Sequence, residues 1–268
     1  MYITNKSLQG DYIMLKQILL GSALLATSSF ATYSYFPVPD AMKGDAKLVA
    51  DFDMQDKEKD LQLALKARFV PVQNLELYLN LPYKVFTRWD GEDTNGDGMK
   101  NLTFGARYQI IPTIAAFLDM TFPTGKDEIN DDGFGFYFGG QYTQKFGNLD
   151  FGSEIGLGFN TEGDDKNKGP MQLTLAAELD PIVSPIISPY VGANLKIALG
   201  DPKHDGHKSG DTSGDVGVFP YVGANFKITD MFSADLSATF GFGEDYLLHF
   251  YGNKKTPITL EASFNVTF

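Results

Sequence analysis

Ile258-Thr-Leu-Glu-Ala-Ser-Phe-Asn-Val-Thr-Phe268, the stretch that closes the chain, decides the fold. Apolar and polar residues alternate along it without a break. Because side chains alternate across a β-strand, such a stretch forms a strand with one oily face and one polar face. The same two-residue period recurs throughout the preceding sequence, so we predict an all-β protein built from many half-apolar strands.

Alternating segments of this kind number twelve. Most of them have about the 9–11 residues that a tilted strand needs to cross the hydrocarbon of a bilayer. Their predicted spans are 45–54, 60–70, 75–86, 100–110, 114–122, 134–146, 149–159, 170–180, 189–199, 216–228, 232–242 and 257–268.

The connections between these segments alternate in length. Tight turns lie at 70–74, 111–113, 147–148, 180–187 and 229–231, and longer polar loops at 87–99, 123–133, 160–169, 200–215 and 243–256. Short turns at one rim and long loops at the other are typical of outer-membrane barrels. We therefore predict a transmembrane antiparallel up-and-down β-barrel of about 12 strands, closed so that every backbone group in lipid is paired. The even strand number places both termini on the short-turn, periplasmic side.

A soluble β-sandwich with its oily faces packed together is the alternative. It explains less well why so many oily faces have similar length and why charges recur on the opposite faces.

The N-terminus has the order of features of an export signal. A basic start at Met14-Leu-Lys16 precedes the apolar run Ile18–Ala26, and Ser29-Phe30-Ala31 offers small residues for signal peptidase. We expect residues 1–31 to be a signal peptide whose true start is Met14, and the alternative is a buried N-terminal helix.

This cleavage site divides the rest of the chain into two parts. Residues 32–44 would form a periplasmic N-terminal segment, and residues 45–268 would form the barrel in the bacterial outer membrane.

Two turns predict the register of their strands. If Gly147-Asn148 is a two-residue turn, Lys145 lies opposite Asp150. A turn centred near Val72 likewise places Arg68 opposite Glu76. Both pairs join opposite charges on the polar face, as cross-strand neighbours prefer.

Charge and composition exclude several function classes. The net charge of −12 argues against a nucleic-acid partner, which would need clustered Lys and Arg. The chain has no cysteine and therefore no thiolate metal site. It also lacks a phosphate-binding G-x-x-x-x-G-K-[ST] motif.

A family resemblance follows from two short motifs. Gly98-Met-Lys-Asn101-Leu-Thr-Phe-Gly105-Ala-Arg107-Tyr108 resembles the "G-D-x-x-x-G-x-(K/R)-Y" strand of the outer-membrane transporter family named for a MetA pathway of phenol degradation. The following Phe122-Pro-Thr-Gly-Lys126-Asp127 resembles its "P-T-G-D" loop, although Lys126 precedes the acid and Asn101 replaces an Asp. The resemblance implies a barrel that passes small molecules, aromatic or hydrophobic ones among them.

The polar faces define the candidate pore lining. Alternation places mixed charges in the lumen, and a charged constriction there would screen solutes by sign. The alternative is a salt-bridged plug that conducts nothing, because twelve strands lie between filled and open barrels. The predicted pore-lining residues are Lys66, Arg68, Glu76, Arg107, Asp119, Lys145, Asp150, Glu154, Glu178, Lys196, Lys227, Asp235 and Glu261.

The long loops are acidic. Asp93-x-Asn95-x-Asp97-Gly98 matches the first half of a calcium loop, so Asp93, Asn95 and Asp97 are candidate ligands for Ca²⁺. Phe104 stands where the bidentate Glu of such a loop belongs, and a solvated turn is the alternative. We expect no other cofactor.

All three histidines fall in predicted outer loops. His204 and His207 could hold a metal with neighbouring aspartates, or could simply lie in a mobile loop. His249 near Asp245 leaves a rim hydrolase as a third, weaker hypothesis. Because no histidine lies on a predicted strand, we predict that the chain is not an enzyme.

The favoured function is passive passage of small solutes across the outer membrane. The second hypothesis is a non-conducting structural or surface-binding barrel with acidic, cation-binding outer loops. Expected partners are outer-membrane lipid and lipopolysaccharide, a small-molecule solute, and the barrel-assembly machinery, which would recognise Phe268.

Overall fold

The computed structural model describes residues 33–130, 132–244, 246–248 and 256–268. The predicted signal peptide lies outside these residues. Within them, twelve long strands form one closed antiparallel barrel, as predicted: β1 Gly44–Gln55, β2 Glu58–Val72, β3 Leu75–Trp89, β4 Leu102–Ile111, β5 Ile114–Phe122, β6 Gly135–Phe146, β7 Leu149–Asn160, β8 Gln172–Pro181, β9 Ile187–Ala198, β10 Val216–Lys227, β11 Phe232–Phe240 and β12 Ile258–Thr267.

The barrel closes where the last strand meets the first. β12 pairs with β1 from Asp45↔Thr267 to Met54↔Ile258. The backbones of Gly44 and Phe268 also exchange two hydrogen bonds of 2.9 Å each. Closure pairs the two edge strands of the twelve-stranded sheet with each other, which is what a sheet surrounded by lipid requires.

The two ends of the barrel differ in the length of their connections. The end that carries 73–74, 112–113, 147–148, 182–186 and 228–231 is called the short-turn end. The other, called the long-loop end, carries 56–57, 90–101, 123–134, 161–171, 199–215 and 241–257. Because the strand number is even, both ends of the barrel sequence lie at the short-turn end.

The register at Gly147-Asn148 is as predicted. Lys145 lies opposite Asp150, and their charged atoms are 3.0 Å apart. Gly147 has a φ of +61°, the left-handed region that favours glycine in a tight turn.

The register at the β2–β3 turn differs from the prediction. Arg68 lies opposite Tyr78 rather than Glu76, because β2 continues to Val72 and the turn falls at 73–74 with a local irregularity before it. Arg68 and Glu76 still form a diagonal ion pair, with Nη1 3.3 Å from Oε2.

The outward face of the barrel is apolar. Leu48 and Leu236 are each more than half exposed, as are many others at alternate positions. Aromatic rings pack across neighbouring strands on this face, including the stacked pairs Phe136–Phe159 and Phe232–Phe264. Such a surface is stable in contact with lipid. Among the described residues, no helix has the length and apolarity to cross a bilayer.

Two long loops pair with each other above the barrel. The loop between β9 and β10 forms short strands at 203–204 and 207–208. The first of these pairs with residues 167–168, which lie in the loop between β7 and β8. Asp201 anchors this loop, because it accepts hydrogen bonds from Lys208 and from the backbone of Thr212 and Ser213. These hydrogen bonds lower the pKa of Asp201 to about 2. The loop that carries His204 and His207 therefore has defined structure.

Candidate permeation pathway

The lumen has two unlike walls. We call the inward faces of β3–β7 the buttressed wall, because large side chains fill the space in front of it. We call the inward faces of β9–β12 and β1 the open wall, because mostly short polar side chains leave a cavity in front of it.

An ion-pair network crosses the buttressed wall. Arg107 Nη2 lies 2.8 Å from Glu76 Oε2, and Nη1 donates to Gln141 Oε1 at 3.0 Å. Gln141 and Tyr137 in turn donate to Glu154, at 2.8 and 2.5 Å. Arg107 and Glu76 are at most 1% exposed, so each charge depends on these partners for its stabilisation.

The segment that precedes β1 enters the barrel and packs on this network. Arg107 Nη1 donates to the carbonyl oxygens of Ser34 and Phe36, at 2.5 and 2.7 Å. Gln141 Nε2 also donates to Ser34 at 3.1 Å, and a Cβ on Gly152 would collide with Tyr35. Part of the segment expected in the periplasm, residues 33–36, thus lies in the lumen.

Tyrosine rings cover glycines of neighbouring strands. Tyr190 faces Gly223 and Tyr221 faces Gly192, and in both cases a Cβ on the glycine would collide with the ring. These four residues come from the repeated sequences 189–197 and 220–228. In each of the two neighbouring strands β9 and β10, the tyrosine of the repeat therefore covers the glycine of the other copy.

Each of these tyrosines also donates to a carboxylate. Tyr190 binds Asp235 at 2.6 Å and Tyr221 binds Glu178 at 2.7 Å. Tyr78 covers Gly105 in the same manner on the buttressed wall. The small glycine is required at these positions because the ring needs the space.

A cavity of about 580 Å³ lies in front of the open wall. It follows β12 along its whole length, because six alternate residues of that strand and its approach line it: Pro257, Thr259, Glu261, Ser263, Asn265 and Thr267. This stretch corresponds to about 30 Å of strand. The cavity therefore extends from the long-loop end to the short-turn end.

Carboxylates outnumber cations in the cavity wall. The seven acids are Asp45, Asp51, Asp53, Glu178, Asp180, Asp235 and Glu261, and the four bases are Lys47, Lys66, Arg68 and Lys196. Asp51 stands directly opposite Glu261, and Lys47 opposite Lys66. Like charges at such close range repel each other, and a counter-charged or hydrogen-bonding group beside them lowers this repulsion.

The predicted pore-lining residues fall into three groups. Six line the cavity: Lys66, Arg68, Glu178, Lys196, Asp235 and Glu261. Four are buried in the buttressed wall: Glu76, Arg107, Asp119 and Glu154. Three lie at the short-turn rim, where Lys145 pairs with Asp150 and Lys227 Nζ lies 2.6 Å from Asp230.

Other residues of the lumen were not predicted from the sequence. The Tyr33–Phe36 segment gave no signal, because nothing local shows that it turns into the barrel. Asp53 and Asp180, by contrast, share the inward phase of their strands with predicted residues, and strict alternation would have found them.

The predicted calcium ligands have other interactions. Asp93 accepts from Arg88 at 2.7 Å, and Asp97 accepts from Tyr83 at 2.8 Å. The side chain of Asn95 lies outside the described residues, as do Asp245 and His249 of the hydrolase hypothesis. In the described part of the chain, no three acidic or histidine side chains are grouped as a metal would require.

The sequence matches the family described as "Putative MetA-pathway of phenol degradation" over residues 41–252. No curated protein matches it. Among solved structures, an outer membrane channel from Pseudomonas putida F1 is similar with a TM-score of 0.72 at 15% identity, over 88% of this chain and 99% of that one.

Two further structures are similar. The translocator domain of the autotransporter NalP from Neisseria meningitidis has a TM-score of 0.54 at 10% identity, over 98% of both chains. The NanC porin has a TM-score of 0.52 at 6% identity, over 82% of this chain and 98% of that one. At such identities the similarity establishes the fold, which is that of bacterial outer-membrane barrels.

Proposed function

We propose that this chain, which belongs to the "Putative MetA-pathway of phenol degradation" family, is a channel for the passive passage of small solutes across the bacterial outer membrane. The observation that carries the proposal is the cavity along the open wall, which follows β12 from end to end. A solute could cross the lumen there while the buttressed wall and residues 33–36 stay in place.

The lining indicates what such a channel favours. The excess of carboxylates would attract cations and hydrogen-bond donors, and the aromatic rings of Tyr190, Tyr221 and Phe219 would contact apolar parts of a solute. Passage of small aromatic molecules that carry polar groups is consistent with this surface.

Planar-bilayer recording tests the proposal. We expect discrete conductance steps with a preference for cations, and Glu261→Gln should reduce that preference because Glu261 lines the cavity. Glu128→Gln is the matched control, since Glu128 lies in an exposed loop beside Lys126. Silence at all voltages and salt concentrations would instead support the non-conducting barrel, which the insertion of residues 33–36 into the lumen favours.

The outer surface supports a second part of the proposal. Membrane lipid would contact the apolar outward face, and the assembly machinery would recognise Phe268, whose side chain is 56% exposed at the seam between β12 and β1.

A further inference from the structure

Lys196 is a cation of the lumen whose ammonium group, like that of Lys47, lies over an aromatic ring. It is 7% exposed and lies on β9 near the long-loop end, where it lines the cavity. Its Nζ contacts the Phe219 ring, 5.1 Å from the centroid. Within the described residues, no carboxylate or hydrogen-bond acceptor lies within bonding distance of this ammonium group.

The neighbouring strands also supply no acid at its level. Lys196 lies opposite Thr174 on β8 and Gly217 on β10. The next inward residue on its own strand is Asn194, which is opposite Phe219. Burying an ammonium group without a partner costs free energy, and a counter-charge brought by a solute would remove that cost.

The surfaces around Lys196 are aromatic and apolar. Phe219, Gly241 and Pro257 line the same end of the cavity, and Leu247 and Leu248 lie with the phenyl ring beside Gly217 and Gly241. Below them, the hydroxyl group of Tyr35 donates to Asn194 at 3.2 Å, which gives this end of the cavity a floor.

We propose that Lys196 and Phe219 form a binding site for a small organic anion that carries an aromatic ring, with a carboxylate as the anionic group. The carboxylate binds Lys196 Nζ through a charge-assisted hydrogen bond, and the ring packs on Phe219 above the Tyr35 floor. The proposal rests on the proposed channel in one respect, because the solute reaches this site through the lumen.

The cation–ring pair explains why the site is specific. Acetate has the charge without the ring, and benzyl alcohol has the ring without the charge. Each of them makes one of the two contacts, whereas benzoate makes both.

Calorimetric titration of the detergent-solubilised barrel with these three molecules tests the site. We expect benzoate to bind at least about tenfold more tightly than acetate or benzyl alcohol. Lys196→Met should weaken the binding of benzoate by at least about tenfold and leave the binding of benzyl alcohol unchanged. Lys196→Arg should keep most of the benzoate affinity.

Lys227→Met is the matched control, because Lys227 occupies the same position in the second copy of the repeat but is exposed and paired with Asp230. It should not change benzoate binding. Equal affinity of the native protein for benzoate and benzyl alcohol, or equal benzoate affinity in Lys196→Met, would overturn the site.

Bilayer recording on the same preparations separates the two proposals. Charge-dependent benzoate binding without conductance would overturn the channel and leave the site standing. Conductance without that binding would overturn the site and leave the channel standing.

Discussion

The buttressed wall and the open wall are built from strands with the same alternation, yet they differ in the size and pairing of their inward side chains. The buttressed wall carries Arg107, Glu76, Tyr137 and Glu154 in one buried network. The open wall carries serine, threonine, asparagine and aspartate at most of its inward positions, and a cavity lies in front of it. Strand alternation therefore determines which side chains enter the lumen, whereas their size determines on which side the lumen stays open.

The N-terminal segment increases this difference. It binds the wall that already has the large side chains, because Arg107 and Gln141 present donors to its carbonyl oxygens. The network thus serves two purposes: it neutralises buried charges and it holds the backbone of the segment. The side chains of Tyr33 and Tyr35 reach across to the open wall, where they donate to Asp45 and Asn194.

The largest expected effect comes from breaking the network. Arg107→Met removes the cation that pairs with buried Glu76 and holds Ser34 and Phe36, and only the longer Arg68 contact remains. We expect the free energy of unfolding in urea to fall by about 3–5 kcal/mol.

Lys145→Met is the control for that loss. Its ion pair with Asp150 is largely exposed at the short-turn end, so its loss should cost less than about 1 kcal/mol. Similar losses of unfolding free energy in the two variants would show that burial does not increase the contribution of the network to stability.

A second comparison uses two adjacent residues of β11. Leu236 faces lipid and is 54% exposed, whereas Ser237 lines the cavity. Leu236→Arg should lower the unfolding free energy by about 2–4 kcal/mol, because a charge on the lipid face is costly. Ser237→Arg should keep the stability and reduce the cation preference of the current. The opposite order of stabilities would contradict the assignment of faces.

The smallest expected effect concerns the space beneath a tyrosine ring. Gly105→Ala would place a methyl group against Tyr78, and the displaced ring should cost about 1–3 kcal/mol in unfolding experiments. A Cβ on Gly140 would meet no atom nearer than 3.7 Å, so Gly140→Ala should be tolerated. Equal tolerance of both changes would show that the ring does not need the glycine.

Much of the fold follows from the sequence, because alternation is a local property. The twelve strands, their inward faces and the Lys145–Asp150 register were predicted from neighbouring residues alone. The register of Arg68 was wrong because β2 continues to Val72, and a turn centre cannot be located from a proline-containing connection without its backbone geometry.

The asymmetry of the lumen could not be predicted in this way. It depends on which strands face each other across the barrel and on where residues 33–36 pack. The repeat illustrates the limit: Lys196 and Lys227 have nearly identical sequence contexts, but β9 and β10 run in opposite directions. One lysine is therefore buried near the long-loop end and the other is exposed at the short-turn end.

The absence of native cysteine permits a direct test of where solutes pass. Ser237→Cys places a thiol on the open wall, and Thr103→Cys places one on the buttressed wall, where Thr103 is 9% exposed. A charged methanethiosulfonate reagent added during bilayer recording should change the current through Ser237→Cys and leave Thr103→Cys unaffected. A response confined to Thr103→Cys, or a current that ignores both thiols, would contradict passage along the open wall.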